Sequence, residues 1–459
     1  MGQSVGFDRT KKILIALADV VIFHLSVVFS FLVRYGWEIP YYNYMSYESA
    51  MFYIFAIFVF LNILFGVYIL YNKSRADFLY LTVIIQLLMS FIIMATTFFG
   101  RWFTFPRSVI AIIFIVSTIA LFLWRVLVFK LYERIDGTKK VMVVGSKEAC
   151  KKAIHNFEHS KNSRHIITKA NVDHYFENVK AHMDSVDIVY LADQIDDDEK
   201  RKIYEVLIRN DKKLFLNTNF ENLVLVNPNI MSIEDESVIE ASNFRISPEN
   251  DLVKRTIDFV VSLVLLVITS PILLVAAILV KATSKGPVFY KQTRITKDQT
   301  EFSILKFRTM GATAEQDSGP VLSTANDVRV TPVGKYFRAL RIDELPQLIN
   351  VLKGEMALVG PRPERPFFVE QFEKENPYYY LRHNIRAGIT GYAQVYGKYA
   401  TDFNSKLNFD LLYIKKYSLI MDVKIMLQTI KILFDKVSSQ GVEEELVLME
   451  IPEKVQVLK

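Results

Sequence analysis

The residues best equipped for chemistry lie in a stretch from Gly286 to Gly354 that is dense in arginine, carboxylate, glycine and proline. Lys306 and Arg308, then Arg329, then Arg338 and Arg341, lead into Asp343-Glu344-Leu-Pro346. Adjacent carboxylates amid cations suit phosphoryl transfer. One can attack phosphorus to form an acyl phosphate, while the other holds Mg²⁺, which screens a diphosphate from the incoming anion. Asp343 and Glu344 are thus the candidate catalytic pair, and Mg²⁺ is the expected cofactor. Arginines would neutralise charge on the non-bridging oxygens. Arg362, fixed between Pro361 and Pro363, offers a guanidinium on a stiffened backbone. Arg386, with Arg382 and His383, is a further candidate for diphosphate contact, and Asp410, Asp422 and Gln394 are candidates for supporting roles. An acidic pair at a helix start is also an ordinary capping pattern, so the pair alone does not define a reaction.

Elements must hold these groups in place. Leu345, Leu348, Ile349 and Leu352 recur at helical spacing and end at Gly354, which predicts an amphipathic helix with a C-terminal glycine. Pro346 fits its first turn, so Asp343 and Glu344 are expected at the positive end of that helix. Upstream, residues 259–280 are uncharged. At about 1.5 Å each they are long enough to cross a bilayer about 30 Å thick. Ser270 and Pro271 sit at the middle, Lys254 and Arg255 flank one end, and Lys281, Lys285 and Lys291 flank the other. The expectation is a re-entrant helix over 257–283, broken at Ser270-Pro271, with Ser270 bonding a freed carbonyl and both ends on one face. A kinked full span is the alternative.

The 459 residues are 51% apolar and 13% aromatic, and the excess collects in that window and in four earlier ones, about 13–33, 50–71, 79–99 and 108–129. Such a chain is neither purely soluble nor wholly embedded. Asp19 and His24 in the first window are expected to face the bundle interior. Ten basic residues flank the spans on the N-terminal side and three on the other, which places the N-terminus and everything after residue 130 inside. A net charge of +6 is too small over this length for a nucleic-acid partner. One cysteine, Cys150, excludes disulfides within the chain and thiolate-rich zinc sites. Residues 138–245 alternate strand and helix signals, starting at Val141-Met-Val-Val-Gly145, which predicts a small parallel α/β domain. Only Gly145 of a dinucleotide fingerprint is present. His155 and His159 share a helix face at metal-ligand spacing, although solvation is the expectation there. A stretch from Leu411 onward reads equally as a membrane-surface helix or a core helix, and the tail, 438–459, is expected to be disordered.

Several motifs occur in one order: Lys254-Arg-x-x-Asp258, Gly286-Pro-Val-Phe-Tyr290, Lys306-Phe-Arg-Thr-Met310, Asp327-x-Arg-Val-Thr331, Asp343-Glu-Leu-Pro-Gln-Leu-Ile-Asn-Val-Leu352, Val359-Gly-Pro-Arg-Pro363 and Gly388-Ile-Thr-Gly-Tyr-Ala-Gln-Val395. Together they resemble the bacterial sugar transferases, monotopic polyprenyl-phosphate hexose-1-phosphate transferases, over about residues 250–435. Four spans and a degenerate nucleotide-binding-like domain resemble the long form. The implied fold is a membrane protein with a four-helix transmembrane bundle (1–135), a Rossmann-like cytoplasmic α/β domain (138–245) and an α-rich catalytic domain with its re-entrant helix (250–437). The implied reaction moves hexose-1-phosphate from a UDP-sugar to undecaprenyl phosphate. UDP-glucose is expected first and UDP-galactose second. The resemblance makes Asp343 the carrier of the sugar phosphate in between and Glu344 the metal ligand for Mg²⁺; UMP leaves, and capsular or exopolysaccharide synthesis begins. The implied location is the bacterial inner membrane, with the catalytic part facing the cytoplasm. The lipid bilayer, a second copy of the chain and polysaccharide-assembly proteins complete the expected partners. Ala387 stands where many relatives have proline, and Tyr417 where tryptophan is common. Two rival readings remain. A membrane-anchored NAD-dependent epimerase or dehydratase would want the glycine fingerprint and a Tyr-x-x-x-Lys pair, which none of the 23 tyrosines forms. A non-catalytic assembly scaffold would have no need of the acidic pair and its arginines.

Overall fold

The computed structural model describes residues 3–68, 75–101, 105–158, 165–193, 195–240, 243–283, 286–311, 329–397, 402–433 and 450–458. Lys73, His159, Lys285, Asp327 and tail residues 438–449 lie outside them. The chain forms two compact units, Met1–Asn217 with Val447–Lys459, and Thr218–Leu446.

The first unit opens with α1 (Gln3–Tyr35), α2 (Tyr41–Leu64), α3 (Arg75–Phe99) and α4 (Arg107–Asp136), each long and apolar enough to cross a membrane. The second helix comes earlier than the expected 50–71. Pro40 stands at its N-cap, and Gly66 turns the chain at φ +63°, where a side chain is disfavoured. Asp19 and Arg125 are 0% and 3% exposed and pair at 3.1 Å; Arg125 also donates to Thr82 Oγ1 and Asn62 Oδ1. His24 Nδ1 meets the Tyr47 hydroxyl at 2.7 Å. Asp19 and His24, the two ionisable groups within the first apolar window, therefore face helical neighbours. A charge in an apolar bundle is tolerable only when paired in this way.

The sheet follows, with β1 (Lys139–Val144), α5 (Lys147–Glu158), β2 (His165–Asn171), α6 (Tyr175–His182), β3 (Ile188–Leu191), α7 (Asp197–Arg209) and β4 (Lys213–Leu216). All pairings are parallel, in the order C-terminal strand, β2, β1, β3, β4. Val141 to Val144 are all 0% exposed, as a central strand covered on both faces requires. The first strand of the order is Gln456–Leu458. Residues 450–458 thus belong to this sheet, contrary to the disorder expected of them, because Val455 and Leu458 are buried in its two cores. The domain also stops at 217 and not at 245. Beyond it α8 (Phe220–Val224) and the hairpin of β5 (Asn229–Ile233) and β6 (Glu236–Glu240) fall in the second unit, where Leu223 and Phe244 join the core.

That unit continues with α9 (Pro248–Thr283), β7 (Phe289–Ile295), β8 (Glu301–Phe307), α10 (Pro332–Ala339), α11 (Gln347–Lys353), β9 (Ala357–Val359), α12 (Pro366–Glu375), β10 (Gly388–Thr390), α13 (Tyr392–Tyr396), α14 (Phe403–Lys415) and α15 (Leu419–Leu433). The strands pair as an antiparallel β7–β8 hairpin and a parallel β9–β10 ladder. Leu411, Ile414 and Ile425 are buried, so α14 and α15 are core helices on one side. The break expected at Ser270-Pro271 does not interrupt α9, which stays helical throughout. Proline has no N–H for the carbonyl four residues back. Ser270 Oγ donates to that carbonyl, Val267, at 2.8 Å. The arms on either side pack against the same unit. Arg255 donates to the carbonyls of Val351 and Leu352 and Lys254 pairs with Asp422 at 2.6 Å, while Ala276 and Val280 pack with Phe307 and Phe337.

Candidate active site

Asp343 and Glu344 lie on a 3-10 turn, Ile342–Glu344, where the N–H groups of Glu344 and Leu345 donate to the carbonyls of Arg341 and Ile342 at 3.2 Å. The chain enters the turn through Arg341 at φ +54°, a left-handed conformation uncommon for any residue but glycine. Pro346 is the N-cap of α11 and not a residue of its first turn, so the pair precedes the helix. Side-chain cations, more than the end of a seven-residue helix, hold the charge.

Glu344 Oε1 accepts from Lys306 Nζ at 3.1 Å and Arg362 Nη2 at 3.0 Å, and Arg341 Nη1 reaches Oε2 at 3.5 Å. Burial opposes ionisation of Glu344, yet Lys306, Arg362 and Arg341 outweigh it and hold this carboxyl far below the usual range. Asp343 is 8% exposed and its Oδ1 has no hydrogen-bond partner among the described residues. Burial first, and the Glu344 charge second, push its carboxyl up to about 6 against the pull of Lys306, Arg338 and Arg341. Two neighbouring carboxylates are thereby driven apart, a pattern that marks acid, base and nucleophile assignments.

Each cation comes from a different element. Lys306 is the penultimate residue of β8, paired with Tyr290. Arg338 rides on α10, which Thr331 caps by accepting from the Gly334 N–H at 3.0 Å, and Arg338 Nε donates to Thr309 Oγ1 at 2.9 Å. A Cβ on Gly334 would come 2.3 Å from the Thr309 carbonyl oxygen, so only glycine lets α10 approach so closely. Arg308 is buried beside Thr309, and the Arg329 backbone carbonyl accepts from the Gly311 N–H at 3.2 Å next to the Met310–Val330 bridge. Arg362 sits where β9 and β10 end together. The Gly360 N–H bonds the Thr390 carbonyl and the Gly388 N–H bonds the Pro361 carbonyl, both at 2.9 Å.

Three sequence expectations change. Arg386 pairs with Asp251 at 2.8 Å, beside Lys297, in place of joining the cations around Glu344. His383 is 5% exposed and edge-on to Tyr379, and burial, with Arg382 second, lowers it to about 3, so it is a neutral core residue. Arg382 is equally buried, and Asp410 accepts from it at 3.0 and 2.8 Å. Gln394 lies on α13 with a buried Oε1 next to Gly391. The Ala387 N–H donates to Thr296 Oγ1 at 3.1 Å, a bond proline could not make. Tyr417 packs edge-on against Tyr413.

Asn350 escaped the sequence reading. It is 0% exposed, donates to the Ser303 carbonyl at 2.9 Å and accepts from the Leu305 N–H at 3.0 Å. It thus ties the strand of Lys306 to the helix after Asp343, and its only signal was a polar residue on the inward side of α11. An apolar groove of about 320 Å³ lined by Pro271, Ile272, Val275, Ala276, Leu279, Phe337 and Ile342 runs from the α9 proline to the residue before Asp343.

Comparison with known proteins locates these features. Residues 249–436 match the family model "Bacterial sugar transferase", and residues 63–208 match one described as "CoA-binding domain". The chain is 46% identical over 188 residues to a UDP-N-acetylgalactosamine-undecaprenyl-phosphate N-acetylgalactosaminephosphotransferase of Aeromonas hydrophila, covering 40% of this chain and 44% of that one. It is 44% identical over 186 residues to a UDP-glucose:undecaprenyl-phosphate glucose-1-phosphate transferase of Klebsiella pneumoniae, covering 39% and 40%. A protein of that same name from Caulobacter vibrioides is 41% identical over 187 residues, which is 39% of this chain and 69% of the relative. The match thus spans less than half the length of the first two relatives.

Proposed function

Because the chain belongs to the bacterial sugar transferase family, we propose that its second unit moves a sugar-1-phosphate from a UDP-sugar to undecaprenyl phosphate at the inner face of the bacterial inner membrane. The observation that carries this reading is the Asp343–Glu344 pair, one carboxyl poised near 6 with an oxygen unpartnered among the described residues, the other held as an anion by three cations. Asp343 attacks the β-phosphorus of the donor, the bond to the bridging oxygen breaks, and UMP leaves. A phosphate oxygen of the lipid then attacks the same phosphorus, releasing Asp343 and forming the lipid-linked diphosphosugar. Arg338, Arg341, Arg362 and Lys306 screen the charge that accumulates. Asp343 Oδ1, and Glu344 Oε2, which Arg341 also reaches at 3.5 Å, are the oxygens that would hold Mg²⁺, which needs only one or two carboxylates when a diphosphate supplies further ligands. When bound, the ion would neutralise the diphosphate.

The groove along Pro271 and Leu279 supports a lipid acceptor, because it is apolar and ends beside Asp343. UDP-glucose is the first donor proposed and UDP-galactose the second; the Aeromonas relative adds UDP-N-acetylgalactosamine to the screen. The product would initiate capsular or exopolysaccharide synthesis. In membranes supplied with Mg²⁺, each UDP-sugar is tested for UMP release without and with undecaprenyl phosphate. One donor should yield a stoichiometric burst alone and turnover with the lipid, and Asp343→Asn should abolish both. Full turnover by Asp343→Asn would remove the nucleophile from this reading.

A further inference from the structure

We propose that Arg382, buried behind the site, is a positioning residue that sets the reach of Arg362 to Glu344. Its guanidinium is 4% exposed and every nitrogen has a defined partner. Nε donates to Asp410 Oδ2 at 3.0 Å, Nη1 to the Tyr379 hydroxyl at 2.6 Å, and Nη2 to the backbone carbonyl of Arg362 at 2.9 Å. Asp410, itself 2% exposed, also lies 2.8 Å from Nη2, which fixes the plane of the fork. The bond to the Arg362 carbonyl links this buried pair to the loop that carries the Glu344 contact.

The loop shows the same design on both sides. Three successive carbonyls, Pro361, Arg362 and Pro363, are held by the Gly388 N–H at 2.9 Å, Arg382 at 2.9 Å and Arg294 Nη1 at 3.2 Å. Prolines on both sides of Arg362 limit its backbone further. Its own side chain is 38% exposed, so packing does little to fix where it points. The position of its Cα and the 3.0 Å contact with Glu344 Oε1 do that work instead. Burying a guanidinium and a carboxylate costs desolvation, and an apolar pair of similar size would commonly fold as well. What the ion pair supplies that an apolar pair cannot is a rigid donor fork aimed at one carbonyl. Lysine, a single point charge on a flexible stem, can still pair with Asp410 but cannot reproduce that fork.

The inference rests on Asp343 and Glu344 being the reacting pair, and a double-mutant cycle separates the two claims. UMP release is measured with undecaprenyl phosphate, Mg²⁺ and an equimolar pool of UDP-glucose, UDP-galactose and UDP-N-acetylgalactosamine. Wild type, Arg382→Lys, Arg362→Met and the double variant are compared, with Asp343→Asn alongside. Arg382→Lys should lose roughly 10- to 100-fold, the scale of a supporting contact to an essential group. Because Arg382 acts through Arg362, the double variant should be no slower than Arg362→Met within about twofold. Multiplying losses, or an Arg382→Lys rate within twofold of wild type, would overturn the proposal. If Arg382→Lys does not fold, the cycle is run with Asp410→Asn, which keeps the arginine and an acceptor while loosening the fork, and the same non-additivity is required. Turnover by Asp343→Asn would instead mean that the reacting pair is misassigned.

Discussion

At the residue scale the decisive contrast is between two neighbouring acids. As the proposed nucleophile Asp343 must be ionised to attack, and burial together with Glu344 raises it to about 6. Single-turnover UMP release should therefore fall about tenfold per pH unit below that value and level off above it. An ordinary aspartate near 3.9 would keep the plateau to about pH 4.5, and a plateau of that kind would refute the assignment. Lys306 is the largest influence lowering Asp343, so Lys306→Met should move the acid limb to higher pH as well as slow the reaction. Linkage runs the same way. Because the folded pKa lies above the unfolded one, this group's contribution to stability is present below about pH 4 and is lost as pH rises through 6. The buried Asp343 carboxyl thus destabilises the fold at neutral pH, a cost the proposed nucleophile would carry. Lys306, Arg338, Arg341 and Arg362 were legible because charges of one sign crowding an acidic pair in sequence also crowd it in space. Arg386 and His383 were misplaced because residue type does not reveal which side of a core a side chain takes: Arg386 turns to Asp251 and His383 to Tyr379.

At the element scale α9 poses the sharpest question, since length and composition alone would let it cross a membrane. Its sequence predicted the proline and the serine that compensates it, and Ser270 Oγ does bond Val267. What sequence could not give was that both arms pack against one folded unit, through Arg255 on Val351 and through Ala276 and Val280 on Phe307 and Phe337. A spanning helix would place those contacts on opposite sides of about 30 Å of hydrocarbon. Asn250→Cys and Pro287→Cys should therefore both react with an impermeant maleimide in inside-out vesicles and neither in right-side-out ones. Cys150 is 0% exposed and adds little background. Labelling from opposite faces would make α9 a true span. The serine adds a second check. Ser270→Ala leaves the Val267 carbonyl without a donor in an apolar setting, a loss of about 1–3 kcal/mol, to be read as a lower melting midpoint in detergent.

Across the whole molecule, the division into units does not follow the order of the chain. The α/β domain was legible from its alternating strand and helix signals, because a parallel sheet buries both faces of runs such as Val141 to Val144. Its last strand was not: Gln456–Leu458 is three residues long, and the pairing with β2 spans nearly 290 residues. No local period can announce a contact at that separation. The glycine loop was legible only in part. A Cβ at Gly145 would meet the Asp193 Cβ at 3.0 Å, which puts a carboxylate-bearing residue against the turn where a dinucleotide fold keeps room for phosphate. The terminal strand is the testable point. Val455 and Leu458 are 4% and 7% exposed, and the Val172 N–H donates to the Leu458 carbonyl at 3.0 Å. Burial of two such side chains is worth roughly 3–6 kcal/mol before the cost of ordering the segment. Removing residues 450–459 should speed hydrogen exchange at Val172 and along β2, and lower the melting midpoint of the α/β domain. UMP release should change far less, because the proposed reacting pair and its cations all lie within Thr218–Leu446. Unchanged exchange at Val172 would mean that the strand adds nothing to the sheet in solution.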